Sequence, residues 1–318
     1  MQLPEGLGLY WRDNETVQLG LSPARSAVFS GLYPREIPLL SLLRNPCTIE
    51  DIDQWARSNQ VDADRARKIW NEVRNSGLAE DRPGTSTMTR SERAAAARAG
   101  VKGVEGIGDF ALEIRGAGLI GAQLALTADL YGFSAIRVID PTPVSESVAR
   151  LLGLSTFGKP LDTVLRPRLR PAGSRNAQSI VVSISSRVYP LHTARTCLAE
   201  DVPYLPVVIA ESDIQVGPFV TGTPCIECVE SARTDRDEVW PLLAAQAGRL
   251  SMLEADAASA LQVCSLVVSE LVEFATNRDM EPRLSSSILH IPPPPLWPFI
   301  ERVERHASCG CAANVFRA

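Results

Sequence analysis

Apolar and polar residues alternate along residues 9–21, Leu-Tyr-Trp-Arg-Asp-Asn-Glu-Thr-Val-Gln-Leu-Gly-Leu, and the break at Asp13 and Asn14 predicts a β-hairpin turning there. Ala27-Val28-Phe29 reads as a third short strand. The period then changes. Between Pro34 and Leu43, Ile37, Leu39, Leu40, Leu42 and Leu43 crowd one segment and predict a helix. Thr48 followed by Asp51 has the spacing of a helix cap and opens a helix over Ile49–Asn59. Asp62 caps the next, Ala63–Ser76, where Ala66, Ile69, Trp70 and Val73 recur at helical spacing and Gly77 ends the run. A hairpin followed by three helices is the content of a small winged-helix-like α+β domain, which we place at residues 1–80. Residues 81–108 read as a linker: a flexible Arg82-Pro-Gly-Thr-Ser-Thr stretch, a short Ala- and Arg-rich helix over Ser91–Ala99, and a glycine-bearing loop from Val101 to Gly108.

Residues 109–318 carry a different pattern. Phe110–Arg115 reads as a strand, Gly116-Ala-Gly118-Leu-Ile-Gly121 follows at once, and Ala122–Tyr131 reads as a helix stopped by Gly132. Ala135–Ile139 is a second strand and ends in Asp140. Glycines at this spacing permit a tight turn, close approach of backbone to phosphate, and close helix–strand packing. Asp140, 19 residues after Gly121, stands where an acid bonds ribose hydroxyls. Gly116, Gly118, Gly121 and Asp140 are therefore candidate nucleotide-binding residues in a Rossmann-like α/β domain, although the same turn also serves packing alone. Ser179–Ser186 is a further strand, and Val239–Asn277 predicts one or two helices with Ala257, Leu261, Cys264, Val268, Leu271 and Val272 on a packing or dimer face. Leu284–Ile291 reads as a strand, and Pro292–Pro295 as a stiff connector.

Four of the seven cysteines form two close pairs, Cys225-x-x-Cys228 and Cys309-x-Cys311. A Cys-x-x-Cys hairpin presents two thiolates to a tetrahedral ion, and a second pair completes a structural Cys₄ zinc site with no position left for substrate. A redox dithiol or unrelated buried cysteines are the alternatives. His306, three residues before Cys309, is a substitute ligand. Cys47, Cys197 and Cys264 sit among apolar residues or on helices and read as small core residues. His192 and His306 lack obvious acid partners, and His290 falls in a strand. The arginine-rich stretch from Leu165 to Arg175 reads as a solvated loop that a carboxylate-bearing peptide can dock on.

Composition changes the picture little. A chain of 318 residues with 45% hydrophobic and 22% charged residues is an ordinary globular chain, long enough for two domains. A net charge of −5 argues against nucleic acid as the main partner. The absence of a long uninterrupted apolar run, the lack of signal-peptide features in Met1–Tyr10, and metal-like cysteine usage together predict a cytoplasmic protein.

The glycine turn, Asp140 and the two cysteine pairs resemble the ThiF-type, ubiquitin-activating-enzyme-like adenylyltransferase family over about residues 105–311. Val216-Gly-Pro-Phe-Val, Thr223-Pro-Cys-Ile-Glu-Cys, Arg233-Thr-Asp-Arg-Asp-Glu-Val-Trp-Pro-Leu-Leu and His306-Ala-Ser-Cys-Gly-Cys resemble its actinobacterial, cyclodehydratase-like branch. Val17-Gln-Leu-Gly-Leu and Asn75-Ser-Gly-Leu-Ala resemble the PqqD-like element that binds leader peptides, so the first domain is expected to recognise a peptide by strand addition. The family resemblance implies attack of a C-terminal carboxylate on the α-phosphate of ATP, with Mg²⁺ held by acids and with Arg and Lys at the phosphates. It places Arg150 and Lys159 as catalytic candidates. The chain departs from the family pattern at Thr142, where an acid is usual, and at Val148, where Asn is usual; Ser147 matches, and the Arg is displaced by one to Arg150. The strand ending Ser183-Ile-Ser-Ser186 lacks the Mg²⁺-binding Asp, and no cysteine lies between Cys228 and Ala245, where thioester-forming relatives keep one. The expectation is a two-domain scaffold, homodimeric by analogy, that presents a peptide or small protein to a YcaO-type partner. The alternative is a working adenylyltransferase with Asp162 or Glu146 on Mg²⁺. A DNA-binding regulator, resting on Asp62-Ala-Asp-Arg-Ala-Arg-Lys, is the third reading.

Overall fold

The computed structural model describes residues 1–3, 7–23, 25–79, 88–99, 101, 104–171, 176–293 and 295–311. The Arg82–Thr87 stretch, residues 172–175 of the arginine-rich stretch, and Pro294 fall outside these. The chain divides into two compact units, Met1–Glu105 and Gly106–Ala318.

In the first unit, β1 (Leu9–Trp11), β2 (Val17–Ser22) and β3 (Arg25–Phe29) form an antiparallel sheet in that order. Val17 and Leu19 point inward and Gln18 is only half-buried, the alternation a one-sided sheet requires. Four helices follow: α1 (Ile37–Leu42), α2 (Ile49–Ser58), α3 (Ala63–Asn75) and α4 (Arg90–Ala99). The α2 cap is a full capping box. The Asp51 amide donates to Thr48 Oγ1, and the Thr48 amide donates to the Asp51 carboxylate at 2.8 Å. Asp62 accepts the Arg65 amide and caps α3, and Gly77, at φ +71°, follows its end. Ile52, Ala56, Ala66, Ile69 and Val73 meet Val17, Leu19, Leu39 and Leu40 in one core. Arg65 and Arg67 of α3 are held by Glu36 and Asp53, so two of the three basic residues behind the DNA reading already have acidic partners.

The second unit is built on seven strands: β4 (Phe110–Arg115), β5 (Ala135–Ile139), β6 (Gln178–Ser186), β7 (Tyr204–Ile209), β8 (Ile214–Val216), β9 (Ser287–Ile291) and β10 (Phe299–Arg302). Their order is β10-β9-β8-β7-β6-β4-β5. β5, β4, β6 and β7 are parallel, and β8, β9 and β10 continue the sheet antiparallel. The strand order reverses between β4 and β6, and an open α/β sheet has its crevice beyond the carboxyl ends at such a point. The helices are α5 (Gly118–Tyr131), α6 (Glu146–Leu152), α7 (Leu161–Leu165), α8 (Leu191–Ala199), α9 (Ile226–Arg236), α10 (Trp240–Ala247) and α11 (Ala257–Thr276).

Several expectations need correcting. Val101–Gly108 is not all loop: Val104–Asp109 is a 3₁₀ helix that buries Ile107, and a Cβ on Gly106 would stand 3.0 Å from the Ala275 carbonyl. α5 begins at Gly118, because the last glycines of the turn form its first helical turn. Val239–Asn277 holds two helices, within the expectation of one or two: α10 and α11, the latter capped by Asp256. On α11, Ala257 is exposed and Leu261 is 60% exposed; Ala260, Val263, Val267 and Leu271 take the inward face with Cys264 and Val268. α11 has the length and apolarity of a membrane span, but half of that stretch is buried inside this unit. β10, beyond the proline run, is a strand that periodicity did not reveal, because it is four residues long.

Candidate functional site

The glycine turn joins β4 to α5 at the crevice, and its three glycines have different physical reasons. Gly116 has φ +69°, and a Cβ there would lie 2.4 Å from the Ile184 carbonyl of β6. A Cβ on Gly121 would meet Ala117 Cβ at 2.7 Å and Ile184 Cδ1 at 3.0 Å. Packing alone requires both. Gly118, at φ +49°, has nothing within 4 Å of that position and so borders open space. A Gly116→Ala chain should accordingly lose about 3 kcal/mol of stability, against about 1 kcal/mol for Gly118→Ala, measured by urea denaturation.

Asp140 is 4% exposed. Its Oδ2 accepts the amides of Ala117 at 2.6 Å and Gly118 at 3.3 Å. Its Oδ1 accepts the amide and hydroxyl of Thr142 at 2.9 and 2.6 Å. The carboxylate expected to meet ribose thus lies across the first amides of α5, where the helix end favours an anion. Thr142, in place of a second acid, serves to hold Asp140.

The other candidates scatter. Arg150 pairs with Glu146 one turn earlier on α6, and both side chains are 70% exposed. Lys159 is exposed, and its carbonyl accepts the Val144 amide at 2.8 Å. Asp162 donates its amide to the Asp140 carbonyl, and its carboxylate accepts the Thr163 hydroxyl. At the end of β6 the hydroxyls are engaged within the protein. Ser183 shares a 2.5 Å hydrogen bond with the Tyr204 phenol, Ser185 donates to the Val188 carbonyl, and Ser186 accepts the Leu253 amide at 3.0 Å.

That last bond belongs to a feature the sequence did not signal. Residues 251–255, between α10 and α11, cross the crevice. Arg187 Nη1 donates to the Ser251 carbonyl at 2.8 Å, and Ser147 donates to Glu254 at 3.5 Å. Met252, Leu253 and Glu254 join Gly118, Val148 and Ile209 around a cavity of about 180 Å³.

The four paired cysteines converge at a second place. Cys225 is the N-cap of α9, so its Cys-x-x-Cys pair sits on a helix start and not on a hairpin. The sulfurs lie 3.9 Å apart for Cys225–Cys228, 3.6 Å for Cys225–Cys309 and 3.6 Å for Cys228–Cys311, and all four are within 4.8 Å of one another. Zinc–sulfur bonds of about 2.3 Å in a tetrahedron put sulfurs about 3.8 Å apart, so the donor set fits Zn²⁺. All four are buried beside Tyr204, Val208, Ile226 and Val229. Burial pushes the Cys225 thiol up and Cys311 up to about 11. Burial acts the same way on Cys228, but the backbone at His306 and Cys225 outweighs it and holds that thiol below its ordinary value. A divalent cation would displace the remaining protons, so its affinity should rise with pH. His306 is not in this cluster, nor is it isolated: Nε2 bonds Asp235 at 2.8 Å. His290 bridges Asp213 and Glu301 and stacks on Phe299. Cys47, Cys197 and Cys264 are buried, as expected of core residues.

No family model matches this chain, and no curated protein matches it. Solved structures do. E. coli MccB with succinimide superposes with a TM-score of 0.59 at 13% identity, covering 98% of this chain and 99% of that one. E. coli MccB with ATP gives 0.60 at 13%, covering 98% of each. The heterocyclase TruD gives 0.64 at 17%, covering 98% of this chain and 42% of TruD. At these identities the likeness is one of fold, and this chain folds as MccB and the matching part of TruD do.

Proposed function

We propose that this chain is a ThiF-like scaffold that binds a peptide or small protein and presents it to a separate modifying enzyme, of the YcaO type that the resemblance implies. The observation that carries this reading is the Asp140 carboxylate lying on the amides of Ala117 and Gly118. A nucleotide phosphate approaching α5 meets a fixed negative charge where it needs donors. Two further features support the reading. Mg²⁺ favours carboxylate oxygens, whereas β6 ends in hydroxyls already bonded within the protein. The cavity of about 180 Å³ is smaller than the about 300–1,000 Å³ usual for ligand pockets. The similarity to TruD and to structures of MccB with MccA supports a peptide as the substrate class. In the first unit β1 and β3 are the edges of their sheet, where a PqqD-like module takes an added strand. We place the protein in the cytoplasm as a homodimer, which sedimentation equilibrium tests.

A second reading, an ATP-dependent adenylyltransferase, is favoured by the open space at Gly118 and by the MccB–ATP structure. Calorimetric titration of ATP and Mg²⁺ into zinc-replete protein separates the two. The scaffold predicts no saturable heat at millimolar ATP. Saturable heat that disappears in Asp140→Ala would overturn it and turn attention to Arg150, Lys159 and Asp162.

A further inference from the structure

Away from the glycine turn, α10 forms one wall of a groove of about 440 Å³ on the second unit. Trp240, Leu243, Ala244 and Ala247 supply an apolar shelf, and Leu243 is exposed although nothing in the fold requires an apolar residue there. Arg187 lies at the far end, where a Cβ on Gly248 would stand 3.6 Å from Val188 Cγ2. It is a non-glycine residue at φ +66°, a conformation that persists only where its surroundings impose it. Its side chain is only 14% exposed, yet its partner Glu211 is 76% exposed, at 3.2 Å. A largely buried guanidinium paired with a solvated carboxylate is an exchangeable arrangement, since such an exposed acid contributes little. At the other end, Arg236 is exposed and pairs with Glu301 through Nη2. Arg187 and Arg236 therefore flank the apolar shelf, and a third arginine of the groove, Arg233, stacks over Trp240 and pairs with Glu230. Trp240 to Ala247 spans about 10 Å of helix, the length of about three extended residues.

We propose that this groove binds an internal acidic–apolar segment of a peptide: two carboxylate side chains separated by about three apolar residues. One carboxylate displaces Glu211 from Arg187, the central apolar side chain, which shares a face of the extended segment with both carboxylates, lies on Leu243, Ala244 and Ala247, and the second carboxylate meets Arg236. Arg–carboxylate pairing is bidentate and directional, which fixes the register of the segment. The inference rests on the peptide-binding reading above and names the chemistry of the peptide.

The test is fluorescence anisotropy of a labelled pentapeptide, Glu-Ala-Leu-Ala-Glu, which puts its leucine on the same face as both glutamates, blocked at both ends, with the zinc-replete full chain. The expected result is saturable binding, weakened at least about tenfold in the peptide with Gln for both Glu residues. Arg187→Gln should weaken it by a similar factor. Leu243→Asp, an exposed change that spares the core, should do so too. Glu211→Ala should tighten it by about threefold, because it removes the competing carboxylate. Folding of each variant is checked by thermal melting. Equal binding of the Glu and Gln peptides, no binding at millimolar concentration, no tightening in Glu211→Ala, or binding only by peptides with a free C-terminal carboxylate would each overturn the inference. A peptide that binds the chain but ignores all three groove variants refutes the groove and leaves the scaffold reading intact.

Discussion

A Cys228→Ser chain should lose its bound zinc, from one equivalent to about zero, and with it about 3–5 kcal/mol of the stability of the second unit. Cys228 Sγ lies 3.6 Å from Cys311 across 83 residues of chain, so an ion held by these thiols would join the start of α9 to the end of the described sequence. The thiols stand in the same cluster as Tyr204, Val208, Ile288 and Val303, so an ion there would secure strands as well as the segment around Cys309 and Cys311. Removing one thiolate leaves three buried sulfurs without the charge that organises them. For a unit of this size the melting temperature should fall on the order of 10 °C. Elemental analysis and thermal melting check this, with chelated wild-type protein as the reference end state. Cys47→Ser, outside the cluster, should keep one equivalent. Zinc content unchanged in Cys228→Ser, or wild-type protein that never holds a metal, would refute the site.

The second large effect belongs to the first unit. Arg65→Ala should destabilise it by about 3 kcal/mol near neutral pH. Glu36 is 1% exposed and accepts Arg65 Nε at 3.0 Å, Arg65 Nη2 at 3.1 Å and the Tyr33 amide at 3.0 Å. Arg65 Nη2 also reaches the Gly31 carbonyl, so one side chain of α3 fastens the segment between β3 and α1. Burial raises the Glu36 pKa, but Arg65 and the Tyr33 amide outweigh it and hold the carboxyl below its ordinary value of 4.5. A carboxylate whose folded pKa is depressed contributes stability that is fully present above its unfolded pKa and is lost as pH falls through the folded value. Without Arg65 the same carboxylate is buried and unpartnered, and it relieves that cost by taking up a proton. The gap between wild type and Arg65→Ala should therefore be widest near neutrality and close as pH falls below about 4.5. Hydrogen exchange of residues 34–75 across this pH range is the measurement. A gap that does not change with pH would mean that Arg65 acts through packing alone.

Local chemistry was legible in the sequence. Thr48 with Asp51 and Asp62 before Ala63 mark helix starts because each side chain bonds amides within three residues. Gly132, at φ +90°, marks a stop for the same local reason. The strands β4, β5 and β6 and the glycine turn follow from apolar runs next to residues with special backbone freedom. The two cysteine pairs identified their own cluster because four thiols at such spacing have few other uses. What was not legible depends on residues far apart in the chain. That Asp140 accepts the Ala117 amide could not be read from its position 19 residues after Gly121, because that bond depends on side-chain direction.

The sequence by itself thus determined where α2 and α3 begin, that a glycine turn opens an α/β unit, and which sulfurs gather. These rest on interactions within a few residues or on rare residue types. Only the tertiary structure decided that Gly116 and Gly121 are required by Ile184, that residues 251–255 cross the crevice, and that Arg187 faces Glu211 beside α10. Each of those depends on how β6, α10 and the chain between α10 and α11 come together across the sheet. Pattern along the chain records the periodicity of one element, and carries no record of which distant element packs against it.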